Sequence, residues 1–332
     1  RVSGYDNIPA TLPKGRLLPG KKGKAKVIRD AIRDSLTRLG LYEVNNYSFI
    51  GERTFNMTGM SIDEGVRLLN PLSEEQSVLR RYIFTSLTNN LMYNVNRKNE
   101  DIKIFEIGHT FIPTGKKPKE EESVAGLIFG RRNGFMWNQP KDQVDFYDIK
   151  GVVESLLSDI NVSGVSFEGA DSLPFINRHR SATVFIDGNK AGFVGELNQA
   201  LLDNLDLVGQ VYIFELSIDA MIKRSVCDKR FRPLPRYPGS KRDISIIVDR
   251  TISYEEIRKS INRIETKMVD DIEVFDVYYG KEIDAGKVSI GIRITYQLME
   301  RTLTDEEINH THSRILKELT RKFGAGIRGY TQ

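Results

Sequence analysis

The sequence predicts an α+β fold in two parts. A mixed or antiparallel sheet domain comes first, then a smaller βαββαβ domain with helices on one sheet face only. Three observations predict it. From Arg236 onward the apolar pattern runs strand, helix, strand, strand, helix, strand. Upstream, strand-like and helix-like segments interleave without the strict alternation of a parallel α/β sheet. Between them lies a basic run holding Pro233, Pro235 and Pro238, the composition of a linker. Residues 1–14 read as the tail of a preceding domain, 15–228 as the sheet domain, 229–235 as the linker and 236–332 as the C-terminal domain.

In the larger domain, Val27, Ile28, Ala31, Ile32, Leu36 and Leu39 recur at helical spacing and stop at Gly40. Tyr42 to Ile50 is strand-like. Asn70-Pro71-Leu72-Ser73 turns the chain into a helical stretch through Leu79, Leu87, Leu91 and Val95. Ile102 to Ile107, Val124 to Phe129, Thr183 to Ile186 and Val211 to Leu216 read as strands. Phe146 to Ile160 is a helix with Ile149, Val152, Val153, Leu156, Leu157 and Ile160 inward.

The C-terminal pattern is sharper. Ile244, Ile246 and Val248 alternate with polar residues, and Ser253-Tyr254-Glu255-Glu256 is a capping box opening a helix through Ile257, Ile261 and Ile264. Phe275, Val277 and Tyr279 alternate up to a turn at Gly280. Val288, Ile290, Ile292, Ile294 and Tyr296 alternate along a half-buried strand. Thr304-Asp305-Glu306-Glu307 is a second capping box, its helix carrying Ile308, Ile315, Leu316, Leu319 and Phe323 and ending at Gly324. Ile327-Arg328-Gly329-Tyr330 can close the sheet.

Composition excludes several classes. The chain of 332 residues is 39% hydrophobic and 28% charged, an ordinary globular balance, and no apolar run reaches the length of a membrane span. The single cysteine, Cys227, rules out internal disulfides and points to a reducing compartment; with no histidine motif beside it, it reads as an unreactive linker thiol. His109 and His179 are isolated. His310 and His312 are two apart on a helix, cannot share a metal on one face, and read as surface or partly buried residues. There is no P-loop, dinucleotide fingerprint or metalloprotease helix. The net charge of +4 does not by itself indicate nucleic acid, but the cations cluster. One group holds Lys14, Arg16, Lys21, Lys22, Lys24 and Lys26. Another holds Lys229, Arg230, Arg232, Arg236, Lys241 and Arg242. The second, with its prolines, is either a solvated, stiff connector or a phosphate-attracting patch.

The helix-free face of the C-terminal sheet is the candidate site. With Ile244, Ile246 and Val248 inward, Asp243 and Ser245 face out. With Phe275, Val277 and Tyr279 inward, Asp276 and Tyr278 face out, and Arg293 and Thr295 do so on the long strand. An exposed tyrosine beside small polar residues and an arginine suits an unpaired RNA base, with stacking of roughly 1–3 kcal/mol per base. The plain alternative is an ordinary tyrosine on a solvated strand.

Several segments, in order, resemble the bacterial phenylalanyl-tRNA synthetase beta chain. Arg1-Val2-Ser3-Gly4-Tyr5-Asp6-Asn7-Ile8-Pro9 is similar to the end of one of its small domains. Asn70-Pro71-Leu72-Ser73-Glu74-Glu75-Gln76-Ser77-Val78-Leu79-Arg80, Phe105-Glu106-Ile107-Gly108 and Asp145-Phe146-Tyr147-Asp148-Ile149-Lys150-Gly151 are similar to its catalytic-like module. Gly192-Phe193-Val194-Gly195-Glu196-Leu197 and Phe214-Glu215-Leu216 fit its later strands, and the C-terminal segment looks like its ferredoxin-fold anticodon-binding domain.

The resemblance implies a class II synthetase-like module followed by an anticodon-binding domain. It also implies a chain that is the C-terminal part of a ligase subunit, partnered by an alpha chain in an α2β2 tetramer and by tRNA(Phe). The holoenzyme uses ATP and Mg2+; none of either is expected in this segment. The editing domains and the acidic magnesium ligands would lie upstream of Arg1. A class II site needs an arginine on the α-phosphate, where negative charge gathers. The matching strand here ends Phe105-Glu106-Ile107-Gly108-His109-Thr110-Phe111-Ile112-Pro113. Ile112 stands near the place of that arginine, and the glycine-rich motif 3 has no counterpart. Glu106 and Gly108 then read as structural, and the segment alone as inactive. Tyr278, Asp243, Ser245 and Arg293 are expected to meet anticodon bases, with Lys241 and Arg242 adding phosphate attraction. A cytoplasmic location is expected, with no membrane partner. The competing reading is an RNA-binding protein outside translation built on an inactive synthetase domain; co-purification with an alpha chain separates the two.

Overall fold

The structure, a computed structural model, describes residues 2–328 apart from 3, 13–14, 16–19, 21, 116, 135–136, 139, 170–172, 227–230, 232, 266 and 281–282. Arg1, Ser3, Lys14, Arg16, Lys21, Cys227, Lys229, Arg230, Arg232, Gly329 and Tyr330, all invoked above, therefore lie outside the described residues. The chain forms two compact units, Arg1–Lys229 and Arg230–Gln332.

In chain order the first unit contains α1 (Lys24–Arg38), β1 (Tyr42–Glu43), β2 (Phe49–Ile50), α2 (Glu52–Asn56), β3 (Val66–Arg67), β4 (Val78–Leu79), α3 (Phe84–Val95), β5 (Ile102–Ile112), β6 (Lys119–Phe129) and α4 (Phe146–Asp159). There follow β7 (Val165–Gly169), β8 (Ile176–Ile186), β9 (Asn189–Leu197), α5 (Gln199–Asn204), β10 (Val211–Ser217) and α6 (Ile218–Arg224). Seven strands form one sheet in the order β1-β5-β6-β10-β9-β8-β7. Only β1 and β5 run parallel. Helices cover both faces, so both faces read as apolar. Ile28 and Ile32 of α1, Ile149 and Val153 of α4 and Met221 of α6 pack on one. Phe84, Leu87 and Leu91 of α3 and Leu201 of α5 pack on the other. The α4 start is fixed by a capping box, in which Asp145 accepts from the Tyr147 and Asp148 amides.

Two expectations change here. Tyr42 to Ile50 is not one strand: β1 joins the large sheet, whereas β2 joins a small sheet ordered β2-β4-β3. Leu79 is not helical. Its spacing from Leu87 and Leu91 fits a helix, but Val78 is worth more in the small sheet, buried with Ile50 and Phe55. The extended path also delivers the next residue, Arg80, to the interior.

The second unit contains β11 (Ser240–Asp249), α7 (Tyr254–Ile264), β12 (Val269–Tyr278), β13 (Lys287–Tyr296), α8 (Asp305–Phe323) and β14 (Gly326–Arg328). The sheet order is β12-β13-β11-β14, the split arrangement its element order requires. Ile244, Ile246, Val248, Ile290, Ile292 and Ile294 meet Ile257, Ile261, Ile308, Ile315 and Leu319 in one core. Both capping boxes form: Ser253 Oγ accepts from the Glu256 amide and Thr304 Oγ1 from that of Glu307. Gly324 takes the left-handed cap at φ 60°. His312 departs from expectation. It is buried, not on the surface, with its Nδ1 2.9 Å from the Tyr296 hydroxyl. Burial pushes its imidazole below the usual histidine range.

Candidate nucleic-acid interface

Antiparallel partners share a sheet face, so the register defines the surface opposite α7 and α8. The pairs Asp243↔Arg293, Ser245↔Gly291 and Ile247↔Ser289 place these six residues there. The pairs Glu273↔Arg293, Asp276↔Gly291 and Tyr278↔Ser289 extend it across β12. Tyr278, Asp243, Ser245 and Arg293 are therefore brought to one face. Tyr278 is 42% exposed, and its ring lies over Gly280, where any Cβ would collide with it.

The neighbours are not independent. Arg293 makes a bidentate pair with Asp243, Nε to Oδ1 at 2.8 Å and Nη2 to Oδ2 at 2.7 Å. The hydrogen bonds from Arg293 hold the Asp243 carboxyl below its ordinary range. The Ser245 and Ser289 hydroxyls lie 3.1 Å apart. Lys241 pairs in register with Thr295 and is exposed on the same face. Arg242 does not belong to it. It pairs with the buried Ile294, sits on the helix side, and reaches Asp305 at 3.2 Å and Ser240 Oγ at 3.0 Å.

Phe275 is the main residue that strict alternation misplaced. The register slips between Val274 and Asp276, so Phe275 and Asp276 together oppose Gly291. Such a bulge turns both side chains to one side. A Cβ on Gly291 would stand 3.0 Å from both the Phe275 ring and Asp276 Cβ. The Phe275 ring thus lies on the open face, with the Arg293 guanidinium 5.2 Å from its centroid. Val277 keeps the core-side register with Ile290 but is half exposed, and Tyr279 lies beyond the strand with Arg250 5.1 Å over its ring. Alternation puts Asp276 on this face, as found; Glu273, Phe275 and Ser289 are further members that the sequence reading does not place there. The signal for Phe275 is Gly291, a lone glycine inside a β-branched strand, which marks a close approach. The face therefore offers two aromatic rings, carboxylate acceptors in Glu273 and Asp276, and hydroxyls, with Lys241 at its end.

In the first unit, Glu106 and Gly108 have plain structural duties. Arg80, 1% exposed, gives Nη2 to Glu106 Oε1 at 2.8 Å, Nε to the His109 carbonyl at 3.1 Å and Nη1 to Ser86 Oγ at 3.1 Å. Asn46 Nδ2 donates to the other Glu106 oxygen at 2.8 Å. A Cβ at Gly108 would collide with Arg80 Nη2. This guanidinium is thus consumed by the interior. Glu215, two strands from Glu106 across their shared partner Ala125, accepts the Ile83 and Phe84 amides on Oε2 at 2.9 and 3.2 Å. Burial pushes its carboxyl up to about 8. Beside it a pocket of about 340 Å³ is lined by Arg81, Tyr82, Ile112, Glu121, Lys190 and Glu215 among others. Among the described residues no group of three or more histidine, cysteine or acidic side chains could hold a metal ion, and no helix is long and apolar enough to cross a membrane.

A one-sided sandwich whose open sheet carries ring planes and base-edge acceptors has the features that single-strand RNA recognition uses. Sequence comparison makes this particular. Residues 8–218 match the phenylalanyl tRNA synthetase beta chain CLM domain, and residues 235–328 match the ferredoxin-fold anticodon binding domain. The chain belongs to the phenylalanyl-tRNA synthetase beta chain family. Over 99% of its length it is 33% identical to the phenylalanine–tRNA ligase beta subunit of Syntrophus aciditrophicus, 35% to that of Carboxydothermus hydrogenoformans and 36% to that of Syntrophotalea carbinolica. It spans 42% of the length of each. A crystal structure of pyrrolysyl-tRNA synthetase from Desulfitobacterium hafniense aligns over 60% of this chain and 68% of that one, at 10% identity and a TM-score of 0.48.

Proposed function

We propose that this chain is the scaffold and anticodon-reading part of a phenylalanine–tRNA ligase beta subunit. Its partner is an alpha chain, in an α2β2 tetramer, which carries the ATP- and Mg2+-dependent attachment of phenylalanine to tRNA in the cytoplasm. The open face of the second unit carries this reading. Tyr278 supplies a stacking plane, while Asp276, Ser245 and Ser289 stand beside it in register to accept from or donate to a base edge. Carboxylates read bases that present amino or imino donors and repel phosphate, so contact here is with bases. Lys241, at the end of β11, supplies phosphate attraction.

The first unit serves as scaffold. Ile112, near where a class II site needs its phosphate-binding arginine, cannot pair with phosphate, and Arg80 is tied to Glu106; the pocket lining mixes the cations Arg81 and Lys190 with Glu121 and Glu215. The test is binding of an anticodon stem-loop of phenylalanine tRNA to this chain, against the same stem with an exchanged anticodon. Preference for the first supports the reading. Equal affinity for both, with a steep salt dependence, refutes it.

A further inference from the structure

The open face carries a second exposed ring that the reading above does not use. Phe275 is 49% exposed on an edge strand, at a position where alternation would have buried it. Three features put it there. The bulge rotates it to the open face, Gly291 leaves the room beneath it, and Arg293 flanks it at 5.2 Å. Arg293 is itself locked by two hydrogen bonds from its fork to Asp243, so its plane is fixed and its charge is balanced. A ring needed only to cover Gly291 would not need this frame; any apolar side chain covers a glycine. Phe275 and Tyr278 are three residues apart, roughly 10 Å along β12, and the Tyr278 ring lies over Gly280, farther along the chain. That is a spacing for two bases splayed from one strand, not for both faces of a single base.

We propose that Phe275, framed by Gly291 and the Asp243–Arg293 pair, is a second stacking platform that takes a different loop nucleotide from the one on Tyr278. The proposal rests on the open face being an RNA surface. Phe275 has no hydrogen-bonding atom, so this platform adds affinity without reading base identity. Arg293 acts as its positioning residue and not as a phosphate contact.

The test uses the whole chain and anticodon stem-loops of phenylalanine tRNA, intact or with one loop position abasic at a time, with affinity read by fluorescence anisotropy. Phe275→Leu keeps apolar cover over Gly291 and should keep the parent's unfolding midpoint. It should bind the intact loop roughly 5- to 150-fold more weakly, as Phe275→Ala should. One abasic position should erase that loss, and it should differ from the position that erases the loss in Tyr278→Ala. The proposal is overturned if Phe275→Leu binds like the parent while Tyr278→Ala does not, or if both losses map to one nucleotide. If Tyr278→Ala and Phe275→Leu both bind like the parent, the RNA reading of the face fails and the second platform with it.

Discussion

Replacing Glu215 by Gln should change how stability depends on pH. The carboxyl is buried, accepts two amides at the start of α3, and is held near a pKa of about 8 against an ordinary 4.5. Burial outweighs the two amides and the nearby charge of Arg80, which is itself paired with Glu106, and the Glu106 carboxylate adds to the upward push. Between those two values the folded chain holds a proton that the unfolded chain has released. The group's contribution is therefore fully present below about 4.5 and is lost as pH rises through about 8. The difference of 3.5 units corresponds to at most about 5 kcal/mol, at about 1.4 kcal/mol per unit. Glutamine keeps an acceptor for both amides and cannot ionise. Urea denaturation from pH 5 to 9 should show parent and Glu215→Gln within about 1 kcal/mol of each other at the acid end. The variant should gain steadily on the parent up to about pH 8 and hold its advantage above it. Parallel curves across the range would show that Glu215 is ionised in the fold and refute the reasoning.

Other outcomes follow from the same geometry. Gly108→Ala forces Arg80 off Glu106 and should lower stability by on the order of 3–5 kcal/mol, read as a depressed thermal midpoint. Arg242→Ala removes a surface pair with Asp305 worth at most about 1 kcal/mol and should leave the salt dependence of RNA binding unchanged, because its side chain is on the helix face. The chain alone should show no phenylalanine-dependent ATP–pyrophosphate exchange; exchange lost on mutating this chain's own residues would contradict the scaffold reading.

Local signals carried most of the second unit. Each capping box closes between residues three apart, Ser253 with Glu256 and Thr304 with Glu307, and the αL Gly324 directly follows the last helical residue, so each motif shows in the local sequence. The core phase of β11 and β13 follows because neither strand has an internal bulge. The phase of β12 did not follow. Its bulge depends on Gly291 of the neighbouring strand, which alternation within β12 cannot register. Arg80 and Glu106 are far apart in sequence and meet only through the sheet, so their pairing was hidden even though Glu106 and Gly108 read as structural. Leu79 lies on a helical period with Leu87 and Leu91, but pairing with Phe49 and Val66 holds it extended. The open-face set was partly legible. Tyr278, Asp243, Ser245 and Arg293 followed from alternation, but the Asp243–Arg293 pair and the helix-side placement of Arg242 required the register.

The central claim is that the open face binds unpaired bases by stacking while Lys241 binds backbone phosphate. Affinity for a phenylalanine-tRNA anticodon stem-loop, measured across a salt series, tests it most directly. Tyr278→Ala should weaken binding by roughly 1–3 kcal/mol with an unchanged slope of log affinity against log salt, since stacking releases no counterions. Lys241→Ala should flatten that slope by about one unit and weaken binding to any tRNA. A Tyr278→Ala chain that binds like the parent at every salt concentration would contradict the account.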